Sequence, residues 1–293
     1  MQLRVLSGFT FMLLSLSGAE EPGMAPIWKI SDADSTVFLA GSVHLLREQD
    51  MPVPPTFDRV YSEAEELVFE IDMAVMSNPA MGAQIRRLGL LPEGQHLSEK
   101  LSPATMDRLR DYLVLSKMGR SDFDRFTPGM VYMMMGSLEA TRHGARPELG
   151  LETQYYLKCV EDGKPSRGLE TVEYQMSRFS SFGDEVLEKL INEALDEVDE
   201  GAEALNSLIS AWRSGRVAEL NELIVEQTDS DPKIREVLLT ERNRNWIPEI
   251  EKHLASDRDV MFLVGAAHLV GEDSVVDLLE EKGYEVVQLA NAE

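Results

Sequence analysis

Two segments near opposite ends of the chain share one short pattern, an apolar run that ends in Gly-x-x-His. Residues 37–46 (VFLAGSVHLL) and 261–270 (MFLVGAAHLV) align without gaps and share Phe, Leu, Gly, His and a second Leu. A glycine directly after a buried strand lets the backbone turn sharply or approach a ligand closely. In an open α/β sheet, ligands bind in the crevice beyond the carboxyl ends of the strands. The repeat therefore predicts that His44 and His268 both face that crevice.

Strand–helix–strand units surround both copies of the repeat. Apolar runs and helical patterns alternate there, at residues 37–40, 57–66 and 67–71 and again at residues 260–264, 273–282 and 284–289. Nearly continuous apolar strands that alternate with helices predict an α/β fold with a mostly parallel central sheet flanked by helices. We expect a helical insertion in the middle of the chain, at roughly residues 75–245. Within it, residues 164–170 (KPSRGLE) are a candidate strand edge.

The first 19 residues have the pattern of a secretory signal peptide. One arginine, Arg4, precedes an uncharged apolar stretch at 5–16, and small residues follow it. Because that stretch is shorter than the about 20 residues that span a bilayer, a cleaved signal is favoured over an anchor. We expect residues 20–293 to form a single exported domain, periplasmic or secreted, with no stable membrane span after cleavage. The alternative interpretation is a buried first strand or helix.

Charge restricts the partners of the chain. Its 52 acidic residues outnumber its 28 lysines and arginines, which gives a formal net charge of -24. Phosphate backbones and anionic membrane surfaces would be repelled by such a protein. We therefore expect a peptide or small-molecule substrate and no nucleic acid.

Glu70 lies within the apolar run at 67–71 and Asp72 directly follows it, so the two carboxylates are two residues apart, on one face of a strand or at its end. Burying a carboxylate in such a run is costly unless it is paired or bound to a cation. Two neutral imidazoles and a carboxylate suit a divalent transition metal, namely zinc, manganese, cobalt or iron. The alternative is a structural ion pair, for which Arg242 or Arg244 would be the partner.

Five blocks in this order carry a resemblance to a known family: GSVH at 41–44, FEID at 69–72, GLETVEYQ at 168–175, ERNRNW at 241–246 and GAAH at 265–268. With them the chain resembles the TraB/GumN family, which is related to the Tiki metalloproteases, from about residue 27 to residue 289. The resemblance implies an α/β core with a helical insertion and a metal-dependent site.

Position by position, the resemblance implies roles for individual residues. The metal-site residues would be His44, His268 and Glu70, with Gly41 and Gly265 shaping the two turns. Further family positions are matched by Glu170, Gln175, Arg242 and Asn243.

These features predict a metal-dependent hydrolase, with peptide bonds as the expected substrate. A bound metal would polarise the scissile carbonyl and acidify a water molecule. Glu70 or Glu170 would serve as general base. Arg242 would stabilise the oxyanion, hold a substrate carboxylate, or pair with one of these glutamates.

Other mechanisms and functions are weighed against this one. The chain contains no H-E-x-x-H helix and no G-x-S-x-G elbow, which excludes an ordinary zincin mechanism and a nucleophile elbow. The competing hypothesis is a non-catalytic periplasmic binding or regulatory protein that holds a metal, haem or peptide in the same crevice.

Overall fold

A six-stranded mixed sheet forms the centre of the protein, whose computed structural model describes residues 23–32, 34–115, 123–228 and 231–291. In chain order its strands are β1 (Met24–Ser31), β2 (Thr36–Ser42), β3 (Glu66–Ile71), β4 (Ser166–Glu170), β5 (Val260–Gly265) and β6 (Val287–Ala290). Their order in space is β4-β3-β5-β2-β1-β6. The first four strands of that order are parallel, and β1 is antiparallel to β2 and β6. The predicted α/β class with a mostly parallel sheet is confirmed.

Helices fill the connections between the strands. Before β4 they are α1 (Thr56–Glu63), α2 (Met73–Met76), α3 (Pro79–Leu88), α4 (Pro103–Leu115), α5 (Pro128–Arg142) and α6 (Leu151–Asp162). After β4 come α7 (Val172–Ser180), α8 (Asp184–Asp196), α9 (Gly201–Arg213), α10 (Val217–Thr228), α11 (Pro232–Arg235), α12 (Glu241–Leu254) and α13 (Val275–Glu281). A short π-helical segment, Glu236–Thr240, leads directly into α12.

The register of the two central strands brings the repeated motif together. β2 and β5 are parallel neighbours, with Gly41 opposite Val264 and Ser42 opposite Gly265. Every residue of β5, and every residue of β2 after the first, is buried, so both faces of these strands are covered. The two Gly-x-x-His turns therefore begin at the same end of the sheet, offset by one residue in register.

The first turn is anchored from a helix of the middle region. The indole of the fully buried Trp212 in α9 donates to the carbonyl oxygen of Gly41, with an N···O distance of 2.7 Å. A side chain at Gly41 would press against Ala266 and the carbonyl oxygen of Pro26, each 3.1 Å from an ideal Cβ. Gly41 thus permits the close packing of the two turns.

The predicted helical insertion at 75–245 is not confirmed as a single block. Strand β4 lies inside that range and pairs in parallel with β3, so the region consists of two helical connections on either side of a sheet strand. The candidate strand edge at 164–170 is confirmed by β4. Strand β1 was not anticipated, because its MAPIWKIS sequence holds a proline and a lysine and lacks a clear apolar run.

Two further predictions concern the signal peptide and the absence of a membrane span. The proposed signal peptide at 1–19 lies outside the described residues. Among the residues that are described, no helix has the length and apolar character needed to cross a membrane.

Candidate functional site

Three of the predicted site residues meet beside Gly265. An ideal Cβ placed on this glycine would lie 2.9 Å from Glu70 Oε1, 3.7 Å from His268 Cδ2 and 3.8 Å from His44 Nε2. These side chains come from the carboxyl ends of the adjacent strands β3, β5 and β2. We call the space that they border the Gly265 cradle. The absence of a side chain on this glycine leaves the cradle open.

Glu70 uses its two oxygens differently. The backbone N–H of Gly265 donates to Oε1 at 2.7 Å. Oε2 accepts from the guanidinium of Arg242 at 2.5 Å and from the amide of Gln175 at 3.1 Å. Oε1 is thus the oxygen that faces the cradle, while Oε2 is bound by Arg242 and Gln175 on the opposite side.

The surroundings keep the Glu70 carboxyl ionised. Burial alone would raise its pKa, but the neighbouring His268, Arg242 and His44 and the N–H of Gly265 more than offset burial. The pKa of Glu70 therefore lies well below its usual range, as suits a cation ligand.

His268 is buried and has a defined orientation. Its Nδ1 lies 2.6 Å from Asn243 Oδ1. The Asn243 Nδ2 donates to the carbonyl oxygen of Asp273 at 2.8 Å, which fixes the orientation of the amide. His268 therefore donates from Nδ1, and its Nε2 keeps a free lone pair, 3.8 Å from Glu70 Oε1. Burial lowers the pKa of His268 to about 3, so the ring is neutral at physiological pH.

His44 is held by a carboxylate that the sequence analysis missed. Its Nδ1 lies 2.7 Å from Glu152 Oε1, and the hydroxyl of Ser42 donates to the same oxygen. The carboxylate raises the pKa of His44 to about 9. The His44 side chain is 66% exposed and Glu152 only 12%, so a buried anchor orients an accessible ring.

A short repeat marks Glu152 in the sequence. The tetrapeptide GLET occurs at 150–153 as well as at 168–171, and its glutamates are Glu152 and Glu170. A Cβ on Gly150 would collide with the carbonyl oxygen of His44, so this glycine lets the first turn of α6 approach the His44 loop. The repeated tetrapeptide is the signal that identifies both glutamates.

Glu170 binds groups of the protein with both oxygens. Oε1 accepts from Arg242 Nε at 3.1 Å and from the Trp246 indole at 2.9 Å. Oε2 accepts from Gln175 at 2.9 Å and from Arg242 Nε at 3.0 Å. Arg242 thus bridges Glu170 and Glu70, and Gln175 spans the same two carboxylates. The predicted ion pair of Glu70 with Arg242 exists.

Two neighbouring residues at the start of α12, directly after the π-helical segment, both reach the site. Arg242 contacts the glutamates and Asn243 contacts His268, although they are consecutive residues. A π turn changes the helical phase locally and is frequent at functional sites. One turn further along, the Trp246 ring packs on His268 with centroids 4.4 Å apart.

Two predicted candidates lie outside this network. Asp72 caps α2, where its Oδ1 accepts from the backbone N–H of Ala74 at 2.8 Å. Arg244, the alternative partner of Glu70, instead pairs with Glu236 and Asp273 on the surface. Across the described ranges, no three His, Cys, Asp or Glu side chains are positioned together as a ready-made metal cluster.

Comparison with known protein families identifies the family of this chain. The profile of the TraB/PrgY/gumN family matches residues 26–288. The chain belongs to this family. The resemblance inferred from the sequence is therefore confirmed.

Relatives of this family member include bacterial and animal proteins. "Uncharacterized protein YbaP" of Escherichia coli (strain K12) is 24% identical, across 82% of this chain and 86% of its own. "Metalloprotease TIKI1" of Danio rerio is 22% identical across 89% of this chain, and "Metalloprotease TIKI2" of the same species is 21% identical across 85%. The alignments cover 62% and 57% of these two longer proteins. No solved structure matches the chain.

Proposed function

We propose that this protein is a metal-dependent hydrolase that cleaves peptide bonds after export from the cytoplasm. The observation that carries the proposal is the Gly265 cradle, where His44 Nε2, Glu70 Oε1 and a buried, neutral His268 converge. The distant TIKI1 and TIKI2 relatives, which are named metalloproteases, support the same reaction class.

The residue types that border the cradle suit a divalent transition metal. Each histidine uses Nδ1 for an oxygen of the protein, Glu152 Oε1 or Asn243 Oδ1, and directs Nε2 toward the cradle. Nε2 of His268 has a free lone pair, whereas the raised pKa of His44 means that a metal must displace the proton on its Nε2. Metal-binding histidines are commonly oriented in this way by a carboxylate or carbonyl group. Imidazole nitrogens with one carboxylate suit zinc, manganese, cobalt or iron. We propose His44, His268 and Glu70 as the residues that hold the ion.

A metal in this position would supply Lewis acidity toward a peptide carbonyl and would acidify water. The protein's own side chains would supply the other groups that the reaction needs. Glu70 Oε1 is the carboxylate oxygen that can hold a proton or a cation at the cradle, since both oxygens of Glu170 are occupied by other groups. We therefore assign cation binding to Glu70 Oε1, whose lowered pKa suits a ligand better than a base, and a positioning role to Glu170.

Arg242 neutralises the two glutamates. Its guanidinium is 10% exposed and is bound to Glu70 and Glu170 at once. Two buried carboxylates side by side would repel each other without this cation. Its role in the proposal is therefore to keep Glu70 ionised and to fix the positions of both carboxylates.

A peptide-cleavage assay tests the proposed function. The protein would be stripped with a chelator, supplied with zinc, manganese, cobalt or iron, and incubated with a peptide library read by mass spectrometry. We expect cleavage only with metal, and its loss when His44→Ala is combined with His268→Ala. A matched control combines His96→Ala with His143→Ala, which pair with Asp124 and Glu139 and do not border the cradle.

Two outcomes would contradict the proposal. Cleavage that survives both chelation and the double change at the cradle would exclude a metal mechanism. Stoichiometric metal or ligand retention without cleavage of any peptide would favour the non-catalytic binding protein instead.

The proposed export has its own test. Export depends on the signal-like segment at 1–19. Amino-terminal sequencing of the exported protein should begin at residue 20, and an intact Met1 would contradict cleavage.

A further inference from the structure

Strand β4 is an edge of the sheet, and half of its backbone groups point outward. Leu67 of β3 donates to the carbonyl oxygen of Pro165, and the parallel register pairs Leu67 with Ser166 and Phe69 with Gly168. In this register the residues that alternate with Ser166 and Gly168 bond to β3, so the N–H and C=O groups of Ser166 and Gly168 face away from the sheet. We call these four groups the β4 edge. No described residue bonds to them.

A cavity of about 440 Å³ opens beside this edge, between β4, α7 and α12. Its strand wall includes Arg167 and Leu169, alternate residues of β4 that share one face, and Glu170, and Thr171 follows at the start of α7. Its helix walls include Tyr174 and Asn245, which are joined by a hydrogen bond of 3.2 Å. The cavity has both apolar and hydrogen-bonding walls, as pockets for a side chain commonly do.

The cavity shares a wall with the candidate site. Glu170 and Trp246 line the cavity. The same Glu170 holds Arg242, and the same Trp246 packs on His268. A ligand that follows β4 toward its carboxyl end therefore arrives at residues that position the cradle.

We propose that the β4 edge binds an extended peptide by strand addition, with one peptide side chain in the cavity. An unpaired strand edge offers main-chain hydrogen bonds to any extended peptide, and a neighbouring pocket selects among side chains. This inference rests on the proposed peptidase function, because it identifies the β4 edge as the surface that recognises the substrate. Recognition through the main chain makes the protein tolerant of sequence and selective for extended, unfolded segments.

Backbone methylation of a peptide tests main-chain pairing without altering the protein. The probe is a fluorescent peptide of about ten residues that alternates threonine and alanine around one central tyrosine. Its binding to the full chain is measured by fluorescence anisotropy with a chelator present, so that no cleavage occurs. A paired strand donates only alternate N–H groups to its neighbour. We expect methylation of alternate peptide nitrogens to weaken binding about tenfold and methylation of the others to have little effect.

Matched variants test the strand itself. Ser166→Pro removes one outward N–H and should weaken binding by roughly tenfold, whereas Ser166→Ala keeps that N–H and should bind as the wild type does. We expect the probe with the central tyrosine to bind the wild type more tightly than one with alanine there, and Asn245→Trp, which fills the cavity, should abolish this difference.

The outcomes separate this inference from the proposed function. A methylation series without a two-residue period, or equal binding by Ser166→Ala and Ser166→Pro, overturns strand addition even if metal-dependent cleavage is found. A two-residue period in a protein that cleaves nothing supports strand addition and rejects the peptidase. The methylation series uses the wild type, so it tests strand addition even if Ser166→Pro does not fold. Asn245→Trp then distinguishes the β4 edge from the opposite edge at β6, because only a peptide on β4 lies beside the cavity.

Discussion

At the scale of single residues, the site depends on how its two histidines are oriented. The buried His268 bonds to a neutral amide, Asn243, and stays neutral itself. The exposed His44 bonds to a carboxylate, Glu152, which holds the ring at a position that solvent can reach. Both arrangements direct Nε2 to the cradle. A group that bonds the other ring nitrogen of a metal-binding histidine strongly affects metal affinity.

Replacing Glu152 by glutamine tests the orientation of His44. Glu152→Gln keeps the shape of the side chain but removes the charge that binds the ring. We expect metal affinity to fall by roughly 10- to 100-fold, the usual effect of losing such a partner. Competition with a colorimetric chelator measures it. Glu148→Gln, on the exposed turn before α6, is the control, and equal affinities for the two variants would contradict the role of Glu152.

A methyl group at Gly265 tests the cradle. In Gly265→Ala the Cβ would lie 2.9 Å from Glu70 Oε1, so the carboxylate must shift away from the histidines. We expect metal affinity to fall more than tenfold while circular dichroism stays unchanged. Gly136→Ala in α5 is the matched control, because nothing lies within 4 Å of its Cβ. Metal binding by Gly265→Ala at wild-type affinity would show that the cradle is not the site.

The sequence predicted the residues of this site that lie in motifs. His44 and His268 follow apolar runs and Glu70 lies near the end of one, and parallel strands place such positions at one end of the sheet. Glu152 was missed because its contact with His44 joins a loop after β2 to the start of α6, and in the sequence only the repeated GLET tetrapeptide marks it. The exclusion of Asp72 from the cradle could not be predicted either, because it depends on a capping bond that starts α2.

At the scale of elements, a tight turn fixes the segment that follows His44. The backbone N–H, Nε and NH2 groups of Arg47 all donate to the Asp50 carboxylate, and Arg47 also bonds to Asn206 of α9. Burial would raise the pKa of Asp50, but the hydrogen bonds and charge of Arg47 lower it. The ionised carboxylate therefore stabilises the fold.

This turn predicts a pH-dependent loss of stability in Asp50→Asn. A carboxyl whose pKa is lowered in the folded state contributes stability above its unfolded pKa, about 3.9, and loses that contribution as pH falls through the folded pKa. We expect the variant to lose about 2 kcal/mol of unfolding free energy at pH near 7 and progressively less in acid. Urea unfolding of both proteins across this range measures the difference.

The chain offers a matched control for this pair. Asp107 and Arg110 have the same spacing, but their side chains are 74% and 49% exposed. Asp107→Asn should change stability by less than about 0.5 kcal/mol at any pH. An Asp50→Asn effect that is equally small, or that grows as the pH falls, would contradict the assignment.

Element prediction failed where tertiary pairing overrides local pattern. The apolar runs of β2 and β5 identify strands by themselves, since each is buried over nearly its whole length. Strand β1 is recognisable only through its pairing with β2 and β6. Strand β4 has partly exposed residues throughout, as expected of an edge, so its place in the sheet is not evident from a hydrophobic pattern.

At the scale of the whole molecule, the acidic residues behind the net charge of -24 form two groups, one exposed and one buried. Helices such as α8 carry acidic residues on partly or fully exposed positions, where they favour solubility. Glu70, Glu152 and Glu170 differ from them because each is at most 12% exposed and bound by several groups. Position in the fold therefore distinguishes the carboxylates of the candidate site from the others.

Elemental analysis of the purified protein tests the central claim most directly. We expect about one transition-metal ion per chain in the wild type, purified as such or after reconstitution, and none in the variant that combines His44→Ala with His268→Ala. A wild-type protein that carries no metal and gains none on reconstitution would contradict the account.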